Sequence, residues 1–93
     1  MVRRLRWTPE AGRDLGRLYD FLAPVNPLAA ARAVQALATA PETLLTSPRL
    51  GQRLAAYNPR EVRRLVVKKY EIRYEVEDET IHVLRIWHGR EDR

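Results

Sequence analysis

The 93-residue sequence predicts an α+β fold: an N-terminal strand, an antiparallel helical hairpin, and then a three-stranded antiparallel sheet. Two observations predict it. In the first half of the chain, apolar residues recur at the three-and-four spacing of an amphipathic helix, whereas in the last third they alternate with a period of two. The length suits a single domain over residues 1–93, because folded domains typically hold at least about 50 residues.

The first two predicted elements are a short strand and an amphipathic helix. Apolar and basic residues alternate within residues 2–7, as in a strand with one buried face. Thr8 and Pro9 predict the start of a helix, because threonine caps helices and proline is tolerated in their first turn. The apolar face that follows is predicted to comprise Leu15, Leu18, Tyr19 and Leu22.

A second helix is predicted after Pro24, which ends the first. Asn26 and Pro27 repeat the pattern of a cap followed by proline, and the alanine-rich residues 29–40 favour helix. Pro41 predicts a kink or a break. Because alanine side chains allow close approach, the two helices are expected to form an antiparallel hairpin.

The last third predicts three strands over residues 62–67, 70–77 and 80–87. Short connections between them imply antiparallel neighbours. The third strand is apolar on both sides, which indicates an interior position in the sheet. Strict alternation predicts one face with Ile81, Val83 and Trp87, the other with Leu84 and Ile86, and a shared face for His82 and His88.

The chain is basic, with seventeen Lys plus Arg against twelve Asp plus Glu and a formal net charge of +5. Many of the basic residues fall in the strand region, where glutamates are interleaved with them. Two interpretations are open: a surface that follows the phosphates of a nucleic acid, or a solvated sheet face with cross-strand ion pairs. The residues concerned are Arg60, Arg63, Arg64, Lys68, Lys69, Arg73, Arg85 and Arg90.

Composition excludes several kinds of site. The absence of cysteine excludes disulfides, thiol nucleophiles and iron–sulfur clusters, and is compatible with the cytoplasmic location that we expect. No stretch approaches the roughly 20 apolar residues of a membrane span, so no membrane contact is expected. Ser47 precedes a proline, where a turn or cap role is favoured over a nucleophile. Two histidines without a set of carboxylates are a weak metal signal, so we expect neither metal nor cofactor.

The segment from His88 to Arg90 follows the last strand, where the chain leaves the sheet. An imidazole and a guanidinium at this point can face a phosphate, or they can be exposed residues of a turn. These residues alone leave both interpretations open.

Taken in order, the motifs resemble the RelE/ParE superfamily of toxins from bacterial type II toxin–antitoxin systems, and most of all its ParE branch. They are Tyr-x-Ile-x-Tyr at 70–74, Ile-x-Val-Leu-Arg at 81–85 with His88 and Gly89 behind it, Pro-x-x-Gly at 48–51, and the opening strand with Thr-Pro-Glu-Ala at 8–11. The resemblance covers nearly the whole chain and implies the same order of strand, helical hairpin and antiparallel sheet.

The resemblance also implies a partner. In this superfamily an antitoxin covers the toxin with a C-terminal segment that is often helical, so we expect a ParD-like antitoxin of the ribbon-helix-helix type. DNA would be contacted only indirectly, through the antitoxin. The residues expected to contact the antitoxin are Leu15, Leu18, Tyr19, Leu22, Val34 and Leu37.

Two activities are known in the superfamily: ParE-like members poison DNA gyrase, and RelE-like members cleave mRNA in the ribosome. The RelE branch usually has an arginine after the first tyrosine of the strand motif and a further tyrosine beyond the last basic loop. Here Glu71 takes the first position and no tyrosine follows Tyr74. The resemblance therefore favours a gyrase poison that binds its target through Arg85, His88 and Arg90.

Two alternatives to the gyrase poison remain. One is a ribosome-dependent endoribonuclease, whose candidate catalytic residues are Lys68, Lys69, Arg73 and Arg90. The other is an inactive member of the family that only binds a partner.

Overall fold

The structure is a computed structural model, and it describes residues 4–91. Val2 and Arg3 of the predicted first strand lie outside these residues. The helices and strands are β1 (Arg4–Trp7), α1 (Pro9–Leu22), α2 (Pro27–Thr39), a 3-10 helix (Ala40–Leu45), β2 (Gln52–Arg53), a second 3-10 helix (Ala55–Tyr57), β3 (Glu61–Val67), β4 (Tyr70–Glu77) and β5 (Thr80–His88).

The strands form one sheet in the order β1-β5-β4-β3-β2. The α+β class is confirmed, and β3, β4 and β5 are antiparallel neighbours as predicted. The sheet is nevertheless larger than three strands, because β1 joins β5 in parallel and β2 pairs with β3. The two residues of β2 are too few to show an alternating pattern in the sequence. The interior position predicted for β5 is confirmed.

Both helices begin with the predicted capping residue followed by proline. The Thr8 hydroxyl accepts a hydrogen bond from the Ala11 N–H at 3.1 Å, and the Asn26 side chain accepts one from the Ala29 N–H at 3.1 Å. α1 ends before the Ala23–Asn26 connection, which contains the predicted proline. The break predicted at Pro41 takes the form of the 3-10 helix that continues α2.

Strict alternation fails inside β5 at a β-bulge. Arg85 lies opposite Arg73 and Val83 lies opposite Tyr74, so Leu84 has no partner on β4. Because a bulge adds one residue to one strand, the inward and outward positions exchange beyond it. Ile86 therefore returns to the face of Val83.

The facial assignments that assumed unbroken alternation were therefore wrong. Ile86 shares the buried face with Ile81 and Val83 rather than with Leu84. His88 is buried beside Tyr70, while His82 lies opposite Glu75 on the other face of the sheet. The two histidines are thus on opposite faces of the sheet, and the prediction that they share one face was wrong.

The helical hairpin covers one face of the sheet, and the core lies between the two layers. Its fully buried members include Leu18, Leu37, Ile72, Val83 and Ile86. None of the helices within residues 4–91 has the length and apolar character needed to cross a lipid bilayer.

A buried tyrosine ties the segment after the helices to this core. The Tyr74 hydroxyl donates to the Pro48 carbonyl at 2.8 Å and accepts from the Gly51 N–H at 2.9 Å. A Cβ atom on Gly51 would lie 2.5 Å from the carbonyl oxygen of Arg64, so only glycine fits this approach to β3. This contact gives a structural reason for the glycine of the Pro-x-x-Gly motif.

Candidate functional site

Three of the predicted basic residues come together at one end of the sheet. The turn between β3 and β4 carries Lys68 and Lys69, and the segment after β5 carries Arg90. The Gly89 N–H donates to the Lys69 carbonyl at 2.7 Å, which holds the two segments side by side. We call Lys68, Lys69 and Arg90 the basic tip.

His88 supports the basic tip from beneath and does not face solvent. Its ring is 4% exposed and packs edge-on against Tyr70, with 5.1 Å between ring centroids, and against Phe21 at 5.5 Å. Nδ1 accepts a hydrogen bond from the Arg90 N–H at 2.9 Å. Burial, followed by the charges of Arg90 and Lys69, lowers the pKa of His88. The neutral imidazole thus fixes the backbone from which Arg90 projects.

Arg85 is held in place by a buried carboxylate and an indole ring. Its Nε and Nη2 atoms donate to the Asp14 carboxylate at 2.9 and 3.2 Å. Its guanidinium carbon lies 5.1 Å from the centroid of the Trp87 ring, within the range of a cation–π contact. The side chain is still 42% exposed, so one part of the guanidinium remains available to a partner.

Arg73, the fourth nuclease candidate, lies apart from the basic tip. It occupies the sheet face opposite the hairpin, in register with Arg85. Nη2 contacts Glu71 at 2.6 Å, and the guanidinium lies over the ring of Trp87 at 4.6 Å and that of Tyr57 at 5.8 Å. A guanidinium so enclosed by a carboxylate and two rings is poorly placed to receive a phosphate.

Hydrogen bonds and ion pairs also occupy other polar residues of this face. Arg60 makes two hydrogen bonds to the Glu75 carboxylate, at 2.8 and 3.1 Å. His82 contacts Glu77 at 3.2 Å. These pairs favour the interpretation of a solvated, internally balanced sheet face over that of a phosphate-binding surface. No cluster of His, Asp and Glu suited to a metal occurs within residues 4–91.

An apolar groove lies between α2 and the β3–β4 turn. Its volume is about 390 Å³, and it continues past Tyr70 toward the tip of the helical hairpin through a second depression that shares Ala29. Val25 and Leu28, near that end, are 89% and 61% exposed. The residues that line the groove are Ala29, Arg32, Ala33, Ala36, Leu37, Val67, Lys68, Lys69 and Tyr70. We call it the α2 groove.

The six residues predicted to contact an antitoxin divide between core and surface. Leu18 and Leu37 are fully buried in the core, and Leu15 packs against them. Leu22 lines the depression next to the α2 groove, and Tyr19 is exposed. Val34 is half-buried. Sequence periodicity found the apolar side of each helix but could not separate the part that packs on the sheet from the part left uncovered.

The sequence from residue 5 to residue 93 matches the family described as the ParE toxin of type II toxin-antitoxin system, parDE. The chain belongs to the ParE toxin family. The resemblance to the RelE/ParE superfamily is thereby confirmed, and the molecule is a toxin of a type II toxin–antitoxin system.

Curated relatives and a solved structure agree with this membership. The chain is 42% identical over 83 residues to a protein named Toxin RelE2 from Caulobacter vibrioides, covering 89% of this chain and 91% of the relative. It is 35% identical over 83 residues to Toxin RelE1 of the same organism, with 89% of each chain covered. A solved chain described as the chromosomal ParDE TA system from P. aeruginosa superposes on this ParE-family toxin with a TM-score of 0.76 and 27% identity, over 94% of this chain and 96% of the other.

Proposed function

We propose that this ParE-family toxin inhibits DNA gyrase through Arg85 and the basic tip, and that a ParD-like antitoxin neutralises it. The observation that carries the first part is that His88 and Arg73 are already engaged in contacts within the protein. His88 is buried and already bonded to the Arg90 N–H, and Arg73 is enclosed by Glu71. Cleavage of RNA needs a free base and a free acid near the phosphate. Docking needs only exposed cations, which Arg85 and Arg90 supply.

Inhibition of plasmid supercoiling by purified toxin tests the gyrase proposal. We expect the pair Arg85→Gln with Arg90→Gln to raise the half-inhibitory toxin concentration about ten-fold or more, since each loses a charge-assisted contact. The control pair Arg4→Gln with Arg53→Gln removes the same charge at two exposed positions outside the proposed target surface and should stay within about two-fold. Wild-type toxin that leaves both supercoiling and DNA cleavage by gyrase unchanged would refute the proposal.

A second candidate function is ribosome-dependent cleavage of mRNA. The names of the two Caulobacter relatives favour it, and so does the gathering of Lys68, Lys69 and Arg90 in the basic tip. Primer extension on translated messages in cells that express the toxin separates the two functions. Codon-specific cuts that disappear in Arg90→Gln would establish the nuclease, whereas intact messages in growth-arrested cells would remove it.

The α2 groove is the proposed seat of the antitoxin. Its floor is apolar, and three cations, Arg32, Lys68 and Lys69, line it. An amphipathic helix with acidic residues beside its apolar face matches both properties. The net charge of +5 would further speed the encounter with an acidic chain. Leu18 and Leu37 are buried in the core, so the proposed antitoxin contact shifts from these two residues to the uncovered alanine face of α2.

Two arginine substitutions, two residues apart on α2, test the groove. Ala29→Arg places a long cation in the groove, whereas Ala31→Arg adds the same side chain at an exposed position of α2 outside the groove lining. We expect Ala29→Arg to weaken antitoxin binding about ten-fold or more, measured by calorimetry with the co-encoded antitoxin, and Ala31→Arg to leave it within about two-fold. Equal affinities for both variants would place the antitoxin elsewhere.

A further inference from the structure

The second half of β5 has a free edge. β1 pairs with β5 only from Arg4 opposite Thr80 to Trp7 opposite Val83, and no other strand of residues 4–91 lies on that side. Exposed backbone donors and acceptors at a sheet edge recruit other strands unless something covers them. Here side chains from α1 and from the segment after β5 cover them.

Three side chains take the place of a neighbouring strand. The Ile86 N–H donates to the Asp14 carboxylate at 2.8 Å, and the Ile86 carbonyl accepts from Arg17 Nη2 at 2.7 Å. The His88 N–H donates to Glu91 at 2.8 Å, and Glu91 also pairs with Arg17. The edge is therefore closed from Ile86 to the start of the basic tip.

Asp14 is the centre of this arrangement. Its carboxylate is buried, and besides the Ile86 N–H it accepts from Arg85 at 2.9 and 3.2 Å and from Arg17 at 3.0 Å. Burial alone would raise the pKa of Asp14, but the hydrogen bonds from Arg85, Ile86 and Arg17 lower it below its ordinary value. The carboxylate is thus charged at neutral pH and holds two guanidinium groups in fixed directions.

We infer that Asp14 is a positioning residue for target binding: it orients Arg85 through a two-point bond, and together with Arg17 it covers the edge of β5 beside that residue. The inference rests on the proposed function of Arg85 and Arg90. The two-point bond restricts the direction of the Arg85 guanidinium, although the side chain is 42% exposed. The Trp87 ring, whose centroid lies 5.1 Å from the guanidinium carbon of Arg85, restricts the guanidinium further.

Growth arrest by induced toxin, measured as the inducer dose for half-maximal arrest, tests the inference in whole cells whatever the target is. We expect Asp14→Asn to raise that dose at least about five-fold when toxin levels are matched by immunoblot, and to add less than about two-fold in an Arg85→Gln background. Asp20→Asn, on the same helix and exposed, is the matched control and should leave the dose unchanged. Full additivity of Asp14→Asn and Arg85→Gln, or a native dose for Asp14→Asn, would overturn the inference.

A second variant guards against simple loss of folding in Asp14→Asn. Arg85→Lys keeps the charge and leaves Asp14 intact, but lysine cannot make the two-point bond to a carboxylate. We expect it to lose toxicity as Arg85→Gln does while it binds the antitoxin normally; full toxicity would show that orientation by Asp14 is dispensable. If Arg85→Gln itself remained fully toxic, the proposed target surface would fail first, and the positioning role of Asp14 with it.

Discussion

His88 lies beneath the proposed target surface and is itself buried. The sequence placed it beside Arg90 and predicted a contact with the target, but the bulge at Leu84 turns its ring inward. What it supplies is an acceptor for the Arg90 N–H and a ring for Tyr70 to pack against. That Arg85 and Arg90 bind the target stays a prediction, in which His88 supports the backbone that carries Arg90.

The burial of His88 makes the stability of the toxin depend on pH. The folded protein lowers the pKa of the imidazole, so the unfolded chain binds more protons below the ordinary value near 6.5. The free energy of unfolding should therefore be fully retained above about pH 6.5 and fall as the pH drops toward the lowered pKa. Urea denaturation at pH 7.5, 6.5 and 5.5 measures this slope.

The control for this slope is His88→Phe, which keeps a ring against Tyr70 but does not titrate. We expect its free energy of unfolding to change less than that of the wild type between pH 7.5 and 5.5. The lowered pKa of Asp14 adds no slope in this range, because the stabilising contribution of that carboxylate is lost only near and below about pH 4. An identical slope in both proteins would assign the pH dependence to other groups.

At the scale of elements, Thr8 joins the start of α1 to the sheet. Its hydroxyl accepts from the Ala11 N–H and also lies 2.9 Å from the Leu84 carbonyl, to which it donates. The Asn26 cap of α2 has only its own helix as partner and is exposed. The two caps are therefore similar in sequence and unequal in structure.

This inequality predicts the result of removing each cap. Thr8→Ala should lower the free energy of unfolding by about 2 kcal/mol, because it also leaves a strand carbonyl without its donor. Asn26→Ala should cost only about 1 kcal/mol. Thermal or urea unfolding of the two variants measures the difference; an equal cost for both would mean that the bond from Thr8 to β5 contributes nothing.

Element order, helix starts and the interior place of β5 follow from the sequence because they depend on local rules of capping and periodicity. The bulge at Leu84 and the two-residue strand β2 could not be predicted, because tertiary pairing and not local pattern decides them. Asp14 escaped notice for a related reason: its partners Arg85 and Ile86 lie more than 70 residues away along the chain.

At the scale of the whole molecule, the α2 groove and the basic tip of the proposed target surface adjoin each other. Lys69 lines the α2 groove and accepts the backbone bond of Gly89, and Tyr70 lines the groove while its ring packs on His88. An antitoxin helix seated in the groove would cover Lys68 and Lys69 of the basic tip. Neutralisation by occlusion of the target surface is a direct consequence of the two proposals.

The net charge should also make the rate of antitoxin association depend on salt concentration. With a net charge of +5, the toxin should associate with an acidic antitoxin about ten-fold more slowly at 0.5 M than at 0.05 M salt, while the dissociation rate changes less. Stopped-flow mixing measures both rates. Lys68→Gln with Lys69→Gln should flatten the salt dependence more than the control pair Arg13→Gln with Arg53→Gln; equal slopes would indicate that global charge alone steers the encounter.

The bulge at Leu84 also determines where β5 can lose a residue without a change of register. Deleting Leu84 would leave Val83 opposite Tyr74 and Arg85 opposite Arg73 with no extra residue between them, so the pairing of β5 with β4 would become regular. Ile86 and His88 would keep their places on the buried face, because Ile72 and Tyr70 would still lie opposite them. A deletion of one residue after Arg85 would instead move every later residue of the strand to the opposite face, so β5 should tolerate the loss of a residue only at the bulge.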